Sequence, residues 1–312
     1  MSRPLTALLE QPGKVFGVAV IADQRIAWAQ TRGCPPGTVF QAGSISKPVT
    51  ALVALRLGLG LDDDVNDYLT SWSVPGGRRV TLRQLLGHTA GAGVAFCPGY
   101  RQDAPVPTLV QVLDGLPPTV GAAPDRFRYS GGGYAIVQQL ITDATGSPFA
   151  SVARELVLGP LGMASSTFEQ APPGTPARPD WRIYPEAAAA GLWTTPEDLA
   201  RFVCALQAGT GGGVEQLTPH ARLPFRGEWR LLPLLGVRPP DSGGLGMFLH
   251  GADRFSHVGG AGGFLSVLTG SLKDGSGAAV MTAENSVRFP FQLLRAVSDG
   301  QGWTGFKRRR GV

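Results

Sequence analysis

A chain of 312 residues with 28 basic and 23 acidic side chains, a formal net charge of +5 and 43% hydrophobic residues has the size and composition of one large or two ordinary globular domains. The positive balance is scattered arginine (only four of the basic residues are lysine) and no nucleic-acid motif gathers it, so no nucleic-acid partner is expected and the terminal KRRR at 307–310 reads as a solvated end. No apolar run approaches the roughly 18 residues of a membrane crossing, and the N-terminal stretch lacks the apolar core and cleavage site of an export signal, so the expectation is a cytoplasmic protein with no membrane partner.

In chain order, 14–21 and 25–30 alternate or run apolar around Ala-Asp-Gln and predict a β-hairpin. Residues 44–59 are apolar almost all round, apart from Arg56, and predict a helix buried on several sides. Pro48 falls in its first turn, where few backbone donors have intrahelical partners. From about 60 to 240, helical segments at 81–87, 133–145, 148–158 and 196–207 alternate with Pro/Gly-rich loops. The last of these helices has a Thr cap, Pro at the first helical position and early acids, a strong start signal. After 244 the strand pattern returns at 245–250, 254–258, 263–271 and 277–284, and a closing helix is expected over 288–299. The three cysteines, Cys34, Cys97 and Cys204, form neither a disulfide framework nor a metal motif. The implied architecture is α/β (α+β): a sheet unit of residues 1–59 and 241–312, with a helical, loop-rich unit of 60–240 inserted and a ligand cleft between them.

The chain's only Ser-x-x-Lys is Ser44-Ile45-Ser46-Lys47. With 17 serines present the spacing alone is weak. Its position is more telling. Residues three apart share a helical face, so the Lys47 amine can reach the Ser44 hydroxyl. The helix N-terminus favours an anion there, and a surface lysine would sit oddly in so apolar a helix. A lysine buried beside that partial charge can serve as a base. In FRYSGGGYAIV (127–137), Tyr129 precedes a glycine run that opens a helix; its phenol can relay a proton beside a lysine, or simply anchor a turn. In FSHVGGAGGFLSVL (255–268), the strand residue His257 is followed by glycines that permit close approach. Their amides, with that of Ser44, can form an oxyanion hole; a structural histidine at a strand edge is the alternative.

These pieces, SISK, YSG and HVG in that order, resemble the serine β-lactamase/penicillin-recognising superfamily, in the branch of class C β-lactamases, D,D-peptidases and related esterases. DDDVNDYL, VTLRQLLGHTAG, GPLGMASSTF, AAAAGLWTTPEDLARF and GLGMFL are similar to that family's connecting segments, so the resemblance covers nearly the whole chain. It implies an antiparallel sheet flanked by helices and an inserted helical domain. It implies Ser44 as nucleophile, Lys47 as its base and Tyr129 as proton shuttle. His257 and Gly259 fall in the third motif, and the amides of Ser44 and Gly260 become the oxyanion hole. One departure stands out: Gly131 occupies the position where the family's second motif carries an Asn that holds the lysine and contacts the substrate. That departure, and His257 where others carry Lys, weigh against β-lactam or D-Ala-D-Ala recognition.

The expected function is therefore hydrolysis of a small-molecule ester, or amide, through a Ser44 acyl-enzyme, with no metal and no organic cofactor. The alternatives are a transacylase or amidase, a β-lactamase or D,D-peptidase, and a non-catalytic ligand sensor. The resemblance places His88 in a structural turn, and the acids at 62–64 read as a loop cap or solvated turn rather than a metal site. No Gly-x-Ser-x-Gly surrounds any serine, which excludes an α/β-hydrolase elbow. The loops 92–108 and 170–186, with Phe96, Tyr100, Trp181 and Tyr184, are expected to wall the cleft.

Overall fold

The computed structural model describes residues 3–93, 97–116, 126–223, 239–284 and 286–303. Phe96 and the 307–310 tail lie outside them. The chain begins with α1 (Arg3–Leu9), the hairpin β1 (Phe16–Ala22) and β2 (Arg25–Arg32), the short β3 (Phe40–Gln41) and α2 (Ser46–Leu57). Its middle holds α3 (Leu82–Leu86), α4 (Leu109–Asp114), α5 (Gly131–Thr145), α6 (Phe149–Ala153) and α7 (Ala187–Ala190), then β4 (Trp193–Thr194), α8 (Pro196–Gln207), α9 (Gly213–Gln216) and β5 (Ala221–Arg222). It closes with β6 (Ser242–Gly243), β7 (Phe248–His250), β8 (Arg254–Ala261), β9 (Phe264–Ser271), β10 (Gly277–Thr282) and α10 (Arg288–Gly300).

Eight strands form one sheet in the order β2-β1-β10-β9-β8-β7-β6-β5, and every neighbouring pair is antiparallel. The N-terminal hairpin thus pairs with the last strand, Val18 opposite Val280, so both chain ends build the sheet. Side chains alternate across a strand, and both faces here are covered, which is why β1 reads as an unbroken apolar run. Phe16, Val18 and Val20 join Val267, Ala278 and Val280 beneath Leu5 and Leu9 of α1 and Phe289, Leu293 and Val297 of α10. Ala19 and Ile21 point the other way, into the core with Leu268, Ala279, Met281 and Leu199, Phe202 and Val203 of α8.

α1 carries little local signal, whereas α4 is short but opens on a Thr108–Gln111 capping box. Seven and six residues cannot hold a helix unaided, and α1 is held by packing Leu5 and Leu9, one turn apart, against the α10 layer. The helix expected over 148–158 is α6 followed by a wider π turn at Arg154–Leu158. Two elements inside 60–240 lie with the sheet: α8 packs on β1, β9 and β10, and β5 extends the sheet edge through Ala221–Gly243 and Arg222–Ser242 pairing. The apolar stripe of α8 could not be left in water, and the sheet face covers it.

The helical layer gathers α3, α4, α6 and α7 around α5, with α2 running between this layer and the sheet side. Every residue of α2 from Ser46 to Ala54 is buried, and Gly58 in the left-handed conformation (φ 78°) closes the helix with its amide on the Leu55 carbonyl. Asp62 pairs with Arg83, Asp63 accepts from the Tyr68 hydroxyl and Asp64 caps the Asn66 amide, so the acidic run serves its own loop. Among the described residues, no group of three or more His, Cys, Asp or Glu side chains could hold a metal ion, and no helix is long and apolar enough to cross a membrane.

Candidate active site

Ser44 stands in a tight 3₁₀ turn, Gly43–Ile45, that leads straight into α2. Residues three apart at this junction share a face, which brings Lys47 to Ser44. Lys47 Nζ donates to Ser44 Oγ at 3.0 Å and to the Ala189 carbonyl of α7 at 2.8 Å. The lysine is 1% exposed, and among the described residues no carboxylate forms an ion pair with it. Ser44 itself is half-buried, whereas Lys47 is buried.

Ala189 gave no sequence signal, because the group in use is its carbonyl. Two side chains hold its segment. Gln138 accepts from the Ala188 amide at 2.9 Å and donates to the Pro185 carbonyl at 2.9 Å. Thr50 donates to the Ala188 carbonyl at 3.0 Å.

Tyr129 arrives from the loop before α5. Its ring centre lies 5.0 Å from Lys47 Nζ, within cation–π range. Ser130 caps α5 by accepting from the Gly133 amide at 3.0 Å, and Gly131 follows as the first residue of that helix. A glycine there supplies no side-chain amide to the lysine; the second hydrogen bond of Lys47 goes to main chain instead.

The third segment is β8. The turn 42–45 packs on it so closely that a Cβ at Gly43 would lie 2.5 Å from the Gly260 carbonyl oxygen. A Cβ at Gly259 would lie 1.9 Å from the Ala42 oxygen. This is the physical reason for glycine in the His-x-Gly pattern: strand and turn meet backbone to backbone. Gly259 is buried, whereas Gly260 is exposed. His257, 1% exposed, stacks on Phe248 at 4.9 Å and lies 6.3 Å from the Tyr129 ring. Burial, and then the nearby Lys47 charge, hold its pKa to about 3, so the imidazole is neutral at physiological pH.

The six residues singled out in the sequence therefore converge: Ser44, Lys47, Tyr129, His257, Gly259 and Gly260. Ala189, Gly43 and Phe248 belong with them and were not singled out; His88, expected only as a turn residue, lies beside them. Of the expected cleft aromatics, Tyr100 bridges to Ile183 through main-chain bonds of 2.7 and 2.8 Å, which joins the two loops to each other. Trp181 meets Trp193 edge-on at 5.4 Å, and Tyr184 is buried beside Ala190 and Ala261. Burial, and then the Glu186 carboxylate, push the Cys97 thiol in the same region up to about 12.

Solved structures share this architecture across almost the whole chain. The D-amino acid amidase from Ochrobactrum anthropi SV3 aligns with a TM-score of 0.73 at 19% identity, covering 96% of this chain and 98% of that one. A D-stereospecific amidohydrolase from Streptomyces sp. aligns at 0.71 with 22% identity, covering 95% and 98%. At such identities the likeness defines the fold, the β-lactamase/transpeptidase type. The family model described as Beta-lactamase matches residues 5–298, and the chain belongs to that family of serine hydrolases. Penicillin-binding protein 4 of Amycolatopsis lactamdurans is 28% identical over 153 residues, 41% of this chain and 36% of that protein. Esterase EstB of Burkholderia gladioli is 30% identical over 159 residues, 44% of this chain and 40% of that protein. The matched stretches span well under two thirds of either relative's length.

Proposed function

We propose that this protein is a serine esterase that works through a Ser44 acyl-enzyme. The observation that carries the reading is the buried Lys47 amine 3.0 Å from the Oγ of half-buried Ser44, at the start of a helix buried from Ser46 to Ala54. Burying a lysine without a carboxylate partner is costly, and a hydroxyl hydrogen-bonded to a base is the arrangement of an activated nucleophile.

Ser44 Oγ attacks the ester carbonyl while its proton passes to the free-amine form of Lys47. The amides of Ser44 and Gly260 receive the negative charge on the carbonyl oxygen. The ester C–O bond breaks as Tyr129 hands a proton to the departing alkoxide and regains one from Lys47. Water then attacks the acyl-enzyme, giving a proton to Tyr129 as Tyr129 passes its own to Lys47; the Ser44 ester bond breaks, Lys47 returns that proton to Ser44 Oγ, and the acid leaves.

Two features favour an uncharged ester over a β-lactam or a peptide ending in D-Ala. Gly131 leaves no side-chain amide to read an acyl-amide group. The neutral, buried His257 offers no cation for a substrate carboxylate. The esterase relative at 30% identity supports the same choice.

The test is intact-mass analysis after exposure to a p-nitrophenyl ester and, separately, a fluorophosphonate, with wild type and Ser44→Ala. The expected result is a single adduct on the wild type with ester turnover, both lost in the variant. A wild type that neither turns over nor labels overturns the reading in favour of a ligand sensor. Adding alcohols or amines to the same assay reports whether water is the acceptor: transfer product in excess of free acid identifies a transacylase.

A further inference from the structure

His88 occupies a backbone conformation that calls for glycine. Its φ is 60°, in the left-handed region that L side chains rarely adopt. The other non-glycine residues found there among the described residues, Asp23 and Gln24, form the exposed turn of the β1–β2 hairpin, whereas His88 is 4% exposed. Glycine would make this turn after α3 without strain. What histidine adds is an acceptor nitrogen and a ring, and both are engaged at one place.

The His88 carbonyl accepts from the Arg128 amide at 2.8 Å, and its Nδ1 accepts from the Ser130 amide at 3.1 Å. Those two amides flank Tyr129. The His88 ring lies against the Tyr129 ring at 4.5 Å between centres, tilted by 33°. On its other sides the imidazole meets Tyr134 at 5.3 Å and Phe127 at 5.7 Å, and Tyr134 in turn donates to the Leu86 carbonyl at 2.9 Å. The end of α3 is thus locked to the start of α5 by three hydrogen bonds, two of them bracketing the tyrosine. Accepting at Nδ1 places the single ring proton on Nε2, and burial, then the Lys47 charge, hold the pKa well below the ordinary histidine value. The clamp therefore keeps one protonation state through the working pH range.

We propose that His88 is a positioning residue for Tyr129, fixing the tyrosine's main chain through its carbonyl and Nδ1 and its ring plane through the stacked imidazole. This rests on the reading that Tyr129 protonates the departing alkoxide. A side chain that touches neither substrate nor Ser44 then governs the proton transfers that pass through Tyr129, of which delivery to the alkoxide enters kcat/KM, and leaves the nucleophile untouched.

The experiment compares kcat/KM for two esters of one acid: a p-nitrophenyl ester, whose phenolate leaves without a proton, and an alkyl ester, whose alkoxide needs one. The variants are Tyr129→Phe, His88→Gly, His88→Asn and the double variant Tyr129→Phe/His88→Gly, with fluorophosphonate labelling of Ser44 as the check of an intact nucleophile. Tyr129→Phe is expected to lose about a hundredfold on the alkyl ester and only a few-fold on the p-nitrophenyl ester. His88→Gly keeps the turn but lacks acceptor and ring, and should show the same selective loss, about tenfold or more. His88→Asn tolerates the left-handed conformation and restores an acceptor, so it should recover part of the alkyl-ester rate. In the double variant the His88 change should add nothing to the selectivity already lost. If His88→Gly and His88→Asn lower both esters equally, or neither, while Tyr129→Phe discriminates, His88 is a structural turn residue and the proposal is overturned. If Tyr129→Phe itself does not discriminate, the proton-delivery reading of Tyr129 fails, and with it the role assigned to His88.

Discussion

Replacing Gly259 by alanine adds one methyl group where strand β8 meets the turn that carries Ser44. The new Cβ would lie 1.9 Å from the Ala42 oxygen, 3.0 Å from its carbonyl carbon and 3.1 Å from the Ile45 nitrogen. All three are main-chain atoms, and none can swing aside as a side chain could. Ordinary contact begins at 3.4 Å, so strand and turn must part by about 1.5 Å. Ala42 is also stitched from both sides: its amide donates to Leu192 O at 2.9 Å and its carbonyl accepts from the Ile45 amide at 3.2 Å. The displacement therefore passes into the Ser44 turn, or into β8 and the Gly260 amide beside it. On the proposed mechanism these are the two halves of the oxyanion hole.

A misplacement of about 1 Å costs about a hundredfold in rate, and loss of one oxyanion donor costs about 10² to 10³. Gly259→Ala is expected to lower kcat for a p-nitrophenyl ester by that range, with the fluorophosphonate labelling rate falling in parallel. The strain of one extra methyl group in a packed site is worth about 1–3 kcal/mol, which lowers Tm by about 2–6 °C. Gly260→Ala is the internal control. Its Cβ meets nothing nearer than Leu265 Cδ2 at 3.5 Å, so its Tm should match wild type and the comparison isolates the packing strain. Turnover by Gly259→Ala within threefold of wild type, with an unchanged Tm, would refute the claim that this backbone contact sets the geometry of the site.

Lys47→Met should cost about a thousandfold or more in ester turnover, because nucleophile and base act as a unit. Its Tm should stay within about 3 °C of wild type, since methionine fills the volume and removes a buried charge; a variant keeping a tenth of the activity would deny Lys47 its role. For pH, His257 titrates near the ordinary 6.5 when unfolded and about 3 when folded, so the unfolded chain binds the extra proton and stability falls as pH drops from 6.5 towards 3. Between pH 7.5 and 5.0 this term alone removes about 2 kcal/mol, and the lowered His88 adds in the same direction. Urea midpoints measured at the two pH values check it. Equal midpoints would mean that the imidazole is solvated or paired.

What could be read before the structure was what side chains announce by type and period. The β1–β2 hairpin, the nearly all-round apolar α2 and the strands after 244 follow from alternation and burial, Ser-x-x-Lys from its spacing and position, and His-x-Gly from the family resemblance. The elements that escaped are those whose support is tertiary: α1 holds its shape only against α10, and α7 is four alanines whose place is set by Gln138 and Thr50. The layer of α8 escaped for a related reason. Its cap and stripe predict an amphipathic helix, but a stripe does not say which apolar face will cover it. Ser44 was expected at a helical mouth; it stands in a 3₁₀ turn whose Gly43 packs against Gly260, a contact that neither segment reveals alone.

The same limit applies to the chemistry. Lys47 is anchored by the carbonyl of Ala189, Tyr129 is flanked by amides bound to His88, and Ser44 is set by main-chain contact with β8. Each reactive side chain is thus held largely by backbone, and backbone carries no residue signature. On the proposed reading, substrate choice sits elsewhere, in positions where side chains are missing or neutral: Gly131 contributes no amide and His257 no charge. Reaction and recognition then occupy separate groups of atoms. On the proposed reading, a substitution at 131 that restores an amide should change which acyl groups are accepted while leaving the fluorophosphonate reaction of Ser44 unchanged. A change in labelling rate at that position would show the two groups to be coupled through the start of α5.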